Sequence, residues 1–133
     1  MWESYRAHLD SLGSALPEAA HRLSTEVSLH DALIRRAEHQ DANFELVCRA
    51  GDQLRGYVDA QIVYGNVTVS EDDEQFLNSA VGRADIEVLY DEFDSSDARW
   101  VHRLLFWPYR EVAVHFATLQ MNVTRAHSRF DHS

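Results

Sequence analysis

Residues 86–107 read IEVLYDEFDSSDARWVHRLLFW, and the pattern of this stretch decides the fold. Ile86, Val88 and Tyr90 alternate with Asp85, Glu87, Leu89 and Asp91. After the polar run Asp94-Ser95-Ser96-Asp97, the residues Trp100, His102, Leu104 and Phe106 again fall at every second position. A period of two sends successive side chains to opposite faces of a strand. Each run therefore predicts a half-buried strand, and the polar run predicts the turn between them. Continued by one more step, the alternation places Glu92 on the core face beside Ile86, Val88 and Tyr90. A carboxylate there needs a partner, because burying a lone charge is costly. His102, His30 or an arginine would supply one.

The rest of the chain extends this reading. Downstream, Pro108-Tyr109-Arg110 connects to a strand opened by Val112, Val114 and Phe116. Its apolar positions then move to Leu119, Met121 and Val123, a slip that reverses faces. That slip predicts a bulge near Ala117-Thr118 or a strand buried on both sides. Residues 127–133 carry no pattern and are expected to form a frayed tail. Upstream, Ser70 precedes Glu71, Asp72, Asp73 and Glu74, and then the stripe Phe76, Leu77, Ala80 and Val81. A capping side chain followed by acids in the first turn predicts a helix over 71–81, ended by Gly82. Phe44, Leu46 and Cys48 mark one strand, and Val58, Ala60, Ile62 and Tyr64 mark another, with a turn at Gly51-Asp52 and a kink at Gly65-Asn66. Residues 28–40 fit either a helix capped by Ser28 and Asp31 or a strand from Leu33 to His39, with the balance towards the strand. Trp2, Tyr5, Leu9 and Leu12, then Leu16, Ala20, Leu23 and Val27, recur at helical spacing and predict a helical pair over about 2–12 and 17–26. The expected architecture is α+β in one domain, 1–133. It is an antiparallel meander of five or six strands, covered on one face by the N-terminal helices and the central helix.

Charge narrows the function. Twelve Arg and no Lys face 22 acids, for a net charge of −10. Binding to nucleic acid or to an anionic membrane rests on clustered basic residues, so neither is an expected partner. A basic protein is. Cys48 is the single cysteine, which rules out an internal disulfide. With no apolar run long enough to span a bilayer and no basic-then-apolar leader at Met1-Trp2-Glu3-Ser4-Tyr5-Arg6, the expected location is cytoplasmic.

Eight histidines are present, yet none has a metal-motif spacing, so neither a metal nor a cofactor is expected. There is no G-x-S-x-G elbow and no glycine-rich phosphate loop. The candidates for chemistry are His30 beside Asp31, and Glu92 with His102; a histidine–carboxylate cluster is the usual acid–base device. Each has a structural counter-reading, as a turn cap or a satisfied core pair. The candidates for binding are the acids Glu71, Asp72, Asp73, Glu74, Asp91, Asp94 and Asp97, read as one patch, and Trp107, which lies off the apolar face of its strand. An exposed Trp is a frequent interface hot spot. Trp2 and Trp100 read as core anchors.

Several short motifs carry a resemblance. They are Trp2-x-x-Tyr5, Leu16-Pro17, Ser28-Leu29-His30-Asp31, Leu89-Tyr90-Asp91-Glu92-Phe93, Leu105-Phe106 and Glu111-Val112-Ala113-Val114-His115-Phe116. Over residues 2–120 the chain resembles a family of uncharacterised bacterial proteins known only as a domain of unknown function. The resemblance implies a small cytosolic α+β protein with no established activity, and it supplies no catalytic residues.

Together these readings favour a non-enzymatic, acidic protein-binding domain, such as an immunity-type inhibitor of a bacterial toxin. One alternative is a metal-dependent or hydrolytic enzyme built on His30, Asp31, Glu92 and His102. Another is an accessory protein that self-associates as a homodimer through a sheet edge or Trp107.

Overall fold

The structure, a computed structural model, describes residues 20, 27–52, 54–96 and 99–129. Two hairpin ladders carry the fold. β1 (Leu33–Gln40), β2 (Asn43–Asp52) and β3 (Gly56–Gly65) pair in succession, and so do β5 (Glu87–Ser96), β6 (Arg99–Trp107) and β7 (Arg110–Phe116). β4 (Thr68–Val69) joins β7, and β8 (Thr118–Ala126) joins β3. All eight strands form one antiparallel sheet in the order β4-β7-β6-β5-β1-β2-β3-β8.

Connectivity rolls this sheet. β3 runs through Asn66-Val67 into β4, and β7 runs through Ala117 into β8. Since β3 pairs with β8 while β4 pairs with β7, two bent strands lie side by side along both of their arms. The two ends of the strand order therefore meet, and the inner faces of the two ladders face each other. The bend is built locally. Asn66 adopts φ 50, Ala117 N donates to Gly65 O at 2.9 Å, and a Cβ on Gly65 would collide with Thr118 Oγ1. Glycine suits that position because the Thr118 side chain of the neighbouring strand lies too close for a β-carbon. At the opposite seam β1 and β5 share a single register pair, Leu33 with Glu87.

A helix spans the gap left by that short seam. α1 (Glu71–Ala80) starts at Ser70, whose hydroxyl accepts from Asp73 N at 3.1 Å. The Asp73 side chain accepts from Ala113 N at 3.2 Å, an amide of β7 that lies one residue beyond the reach of β4. At the other end Gly82 N donates to Ile34 O of β1 at 3.0 Å. Leu77 and Ala80 are fully buried beneath the helix.

The interior follows the predicted alternation on most strands. Phe44, Leu46 and Cys48 of β2, Ala60, Ile62 and Tyr64 of β3, His102, Leu104 and Phe106 of β6, and Val112, Val114 and Phe116 of β7 are all sealed from solvent. Residues 33–40 are strand, as the balance of their pattern suggested.

The expected α+β meander of five or six strands under several helices is corrected. The described residues form eight strands in one predominantly β structure with one short complete helix, α1. The strand count fell short because two-residue β4 has too few positions to show a period, and because 110–126 reads as one strand but pairs with two different partners. The helical pair expected over 2–12 and 17–26 lies outside the described residues except for Ala20, which is buried in the core, and Asp97 also lies outside them. Of the tail expected to fray, residues 130–133 lie outside, while Arg49 Nη1 donates to Ser128 O at 2.5 Å and Arg129 Nη2 donates to Glu87 Oε2 at 2.7 Å. No helix among the described residues is long and apolar enough to cross a membrane.

Candidate functional site

The decisive local feature is a β-bulge in β5. Val88 pairs with Phe106, but Tyr90 pairs with Leu105, so Leu89 is an inserted residue. An insertion of one reverses every later side chain. Tyr90, Glu92 and Asp94 therefore point outward, whereas Asp91 and Phe93 point inward. This corrects the sequence expectation for both acids. Glu92 is not the core carboxylate: it pairs with Arg103 at 3.4 Å on the outer face and accepts from the Tyr90 hydroxyl at 3.5 Å. Asp91 is not part of a surface patch, since its side chain is only 19% exposed.

The partner of Asp91 is His102. Its Nε2 lies 2.7 Å from Asp91 Oδ2, and its Nδ1 lies 2.6 Å from the Tyr64 hydroxyl. A carboxylate only accepts, so Nε2 carries a proton; in the neutral ring Nδ1 is then an acceptor and Tyr64 donates to it. Phe93 stacks on the imidazole at 4.0 Å between centroids and 7° between planes. The chain Tyr64–His102–Asp91 thus joins β3 to β6 and β5 across the rolled interior. Burial pushes the Tyr64 phenol well above its ordinary range, with Cys48 and Asp91 adding to the effect, so it stays a donor. Burial likewise raises the Cys48 thiol, reinforced by Asp91 and Asp59. A buried thiol of this kind is inert, as its mid-strand position predicted.

His30 and Asp31 stand elsewhere, in the turn that precedes β1, and this turn holds the bulge. His30 Nδ1 donates to Leu89 O at 2.7 Å, Asp31 N donates to Val88 O at 2.6 Å, and Val88 N donates to Ala32 O at 2.9 Å. The two sequence motifs, residues 28–31 and 89–93, are therefore one structural unit. The first binds the backbone of the second at the inserted Leu89 and at Val88 just before it. His30 and Asp31 also line a cleft of about 370 Å³ with Val27, Ala50, Asp52 and Val58 among its walls. The four proposed catalytic residues are distributed over three environments: His102 in the core, Glu92 on the outer face, and His30 with Asp31 on the cleft. Among the described residues no three metal-ligating side chains converge.

The binding candidates also divide. Asp73 is bound to Arg110 at 3.0 Å and Glu74 to His39 at 2.8 Å, so both serve the fold. Glu71 and Asp72 are exposed at the start of α1, and Asp94 pairs with Arg103 at 3.3 Å. Trp107 is 47% exposed and lies edge-on to Tyr109, itself 75% exposed, with centroids 4.8 Å apart. Arg110, in the same connection, also sits 5.5 Å over the Phe76 ring.

Two elements escaped the sequence reading. Tyr64 was assigned to the core only as a large apolar side chain, although a buried phenol always needs a hydrogen-bond partner. Arg49 falls out of step with the inward Phe44, Leu46 and Cys48, yet it is buried against Asp59, with Nε 2.6 Å from Oδ1 and Nη2 3.1 Å from Oδ2, beneath the segment at Ser128. Their opposition in the β2–β3 ladder was available as a signal once the turn was centred on 53–55. Comparison with known proteins gives no match to a family model, a curated protein or a solved structure.

Proposed function

We propose that the protein is a non-enzymatic binding domain for a basic protein, of the kind an immunity protein offers to a toxin. Its contact surface is the Trp107–Tyr109 turn with the neighbouring acids Glu71 and Asp72. One observation supports this above the others: the Asp73–Arg110 ion pair draws the helix start against the aromatic turn. Two exposed rings and two exposed carboxylates then share one patch. Aromatic side chains at the centre of an interface carry much of its energy, and the surrounding charge steers a complementary partner. The overall charge of −10 acts in the same direction. Catalysis is the weaker reading, because the histidines and carboxylates proposed for it do not share a site.

The test is a pull-down from a lysate of the organism that makes the protein, followed by titration of whatever basic partner is recovered. Trp107→Ala is expected to weaken that complex roughly thirtyfold, about 2 kcal/mol. Neutralising Glu71 and Asp72 together should slow association and flatten its salt dependence. Recovery of no stoichiometric partner, or a complex indifferent to both changes, overturns the proposal.

A further inference from the structure

We infer that the cleft beside His30 and Asp31 binds a small organic cation, a primary ammonium group carried on an apolar chain. The argument begins with the tautomer of His30. Its Nδ1 lies 2.7 Å from Leu89 O, and a carbonyl can only accept, so Nδ1 carries the proton. In the neutral ring Nε2 is then an acceptor, and it faces Asp31 Oδ1 at 3.6 Å. That separation is too long for a direct hydrogen bond, and in this form neither atom has a donor to offer the other. A single positive group with several N–H bonds, placed between them, satisfies both. An ammonium has three such donors around one point charge, whereas a planar guanidinium matches two coplanar oxygens better.

The acceptor pair is held in position before any ligand arrives. Asp31 sits at φ 66, a left-handed conformation uncommon outside glycine, although Asp and Asn tolerate it. Its amide is bound to Val88 O at 2.6 Å, and its carbonyl accepts from Arg129 Nη2 at 2.9 Å. These bonds fix the backbone that carries the carboxylate, which lowers the ordering cost met on binding. The space beside the pair is about 370 Å³, within the range of small-molecule sites, and Val27, Ala50, Val58 and Val123 give it apolar walls. Among the lining residues the carboxylates Asp31 and Asp52 outnumber the Arg55 guanidinium, and the Arg129 guanidinium behind Asp31 is paired with Glu87 at 2.7 Å, a balance that suits a cation.

Calorimetric titration of the full chain with n-hexylammonium, n-hexanoate and n-hexanol tests this site, with amide shifts in NMR spectra locating the ligand. Saturable binding of hexylammonium is expected, with shifts at His30, Val58 and Val123 and no binding of hexanoate. Asp31→Asn keeps the left-handed backbone while removing the charge, and it should weaken hexylammonium at least about tenfold. An unchanged thermal transition in that variant shows the fold is intact. Equal binding of hexanoate or hexanol, affinity undiminished in Asp31→Asn, or no saturable binding of hexylammonium overturns the inference.

Discussion

Two histidine–aspartate pairs in this protein differ in everything except composition. His102 and Asp91 meet at 2.7 Å inside the rolled sheet, with a tyrosine on the second ring nitrogen and a phenylalanine stacked on the ring. His30 and Asp31 stand 3.6 Å apart at the surface, with side chains 65% and 52% exposed. In the inner pair both ring nitrogens of His102 are taken, one by Asp91 and one by Tyr64, so the imidazole has none left for a substrate. The outer pair is incomplete and opens on a cleft. Low dielectric and full satisfaction make the first a structural element, since a buried polar network stabilises only when each member is paired. Solvent and spare hydrogen-bonding capacity leave the second available for a ligand.

The contrast is most exposed to failure at His102. His102→Leu keeps the bulk of the ring but strips a partner from both Tyr64 and Asp91. Stranding a largely buried carboxylate should cost about 3–5 kcal/mol in urea unfolding. A loss below about 1 kcal/mol would mean that the inner pair contributes no more than the outer one. Alkaline pH reads the same interior by a different route. Burial holds the Cys48 thiol and the Tyr64 phenol above their ordinary values of 9.0 and 10.0. Between the unfolded and folded values the native state retains protons that the unfolded chain has released. Stability is therefore complete below about pH 9 and falls as pH rises beyond it, by about 1.4 kcal/mol per pH unit for each group. Cys48→Ala should move the onset from about pH 9 to about pH 10, where the raised phenols Tyr64 and Tyr90 begin to contribute; an onset that stays at pH 9 would contradict the assignment to Cys48. The smallest effect belongs to His30→Ala. It frees a bulge carbonyl that water can reach, so unfolding free energy should change by less than about 1 kcal/mol.

The same bulge explains which parts of the molecule were legible in the sequence. Alternation in 44–48, 58–64 and 100–106 identified the inward faces correctly, because those strands are regular and buried on one side. In β5 the reading held as far as Val88 and then selected Glu92 in place of Asp91. Nothing in Leu89 itself marks an insertion. The bulge is fixed by His30 and Asp31, almost sixty residues earlier, and a period counted along one strand carries no information about them. The need for an inward carboxylate facing His102 was readable, while its identity depended on a tertiary contact. Arg49 and Asp59 show the same limit: each sits at an outward position, and the segment around Ser128, from far along the chain, packs against Arg49 there.

The bent strands at Gly65 and Ala117 also set the order in which the chain can assemble. Each hairpin ladder joins residues close in sequence, so its loops close at small entropic cost and it can form early. The pairing of 57–65 with 118–126 joins segments about sixty residues apart, so it closes at a greater entropic cost and is expected to follow the ladders. The final strand therefore acts as a latch, and a ribosome-bound chain lacking residues 118–126 would hold both ladders with the interior between them still unsealed.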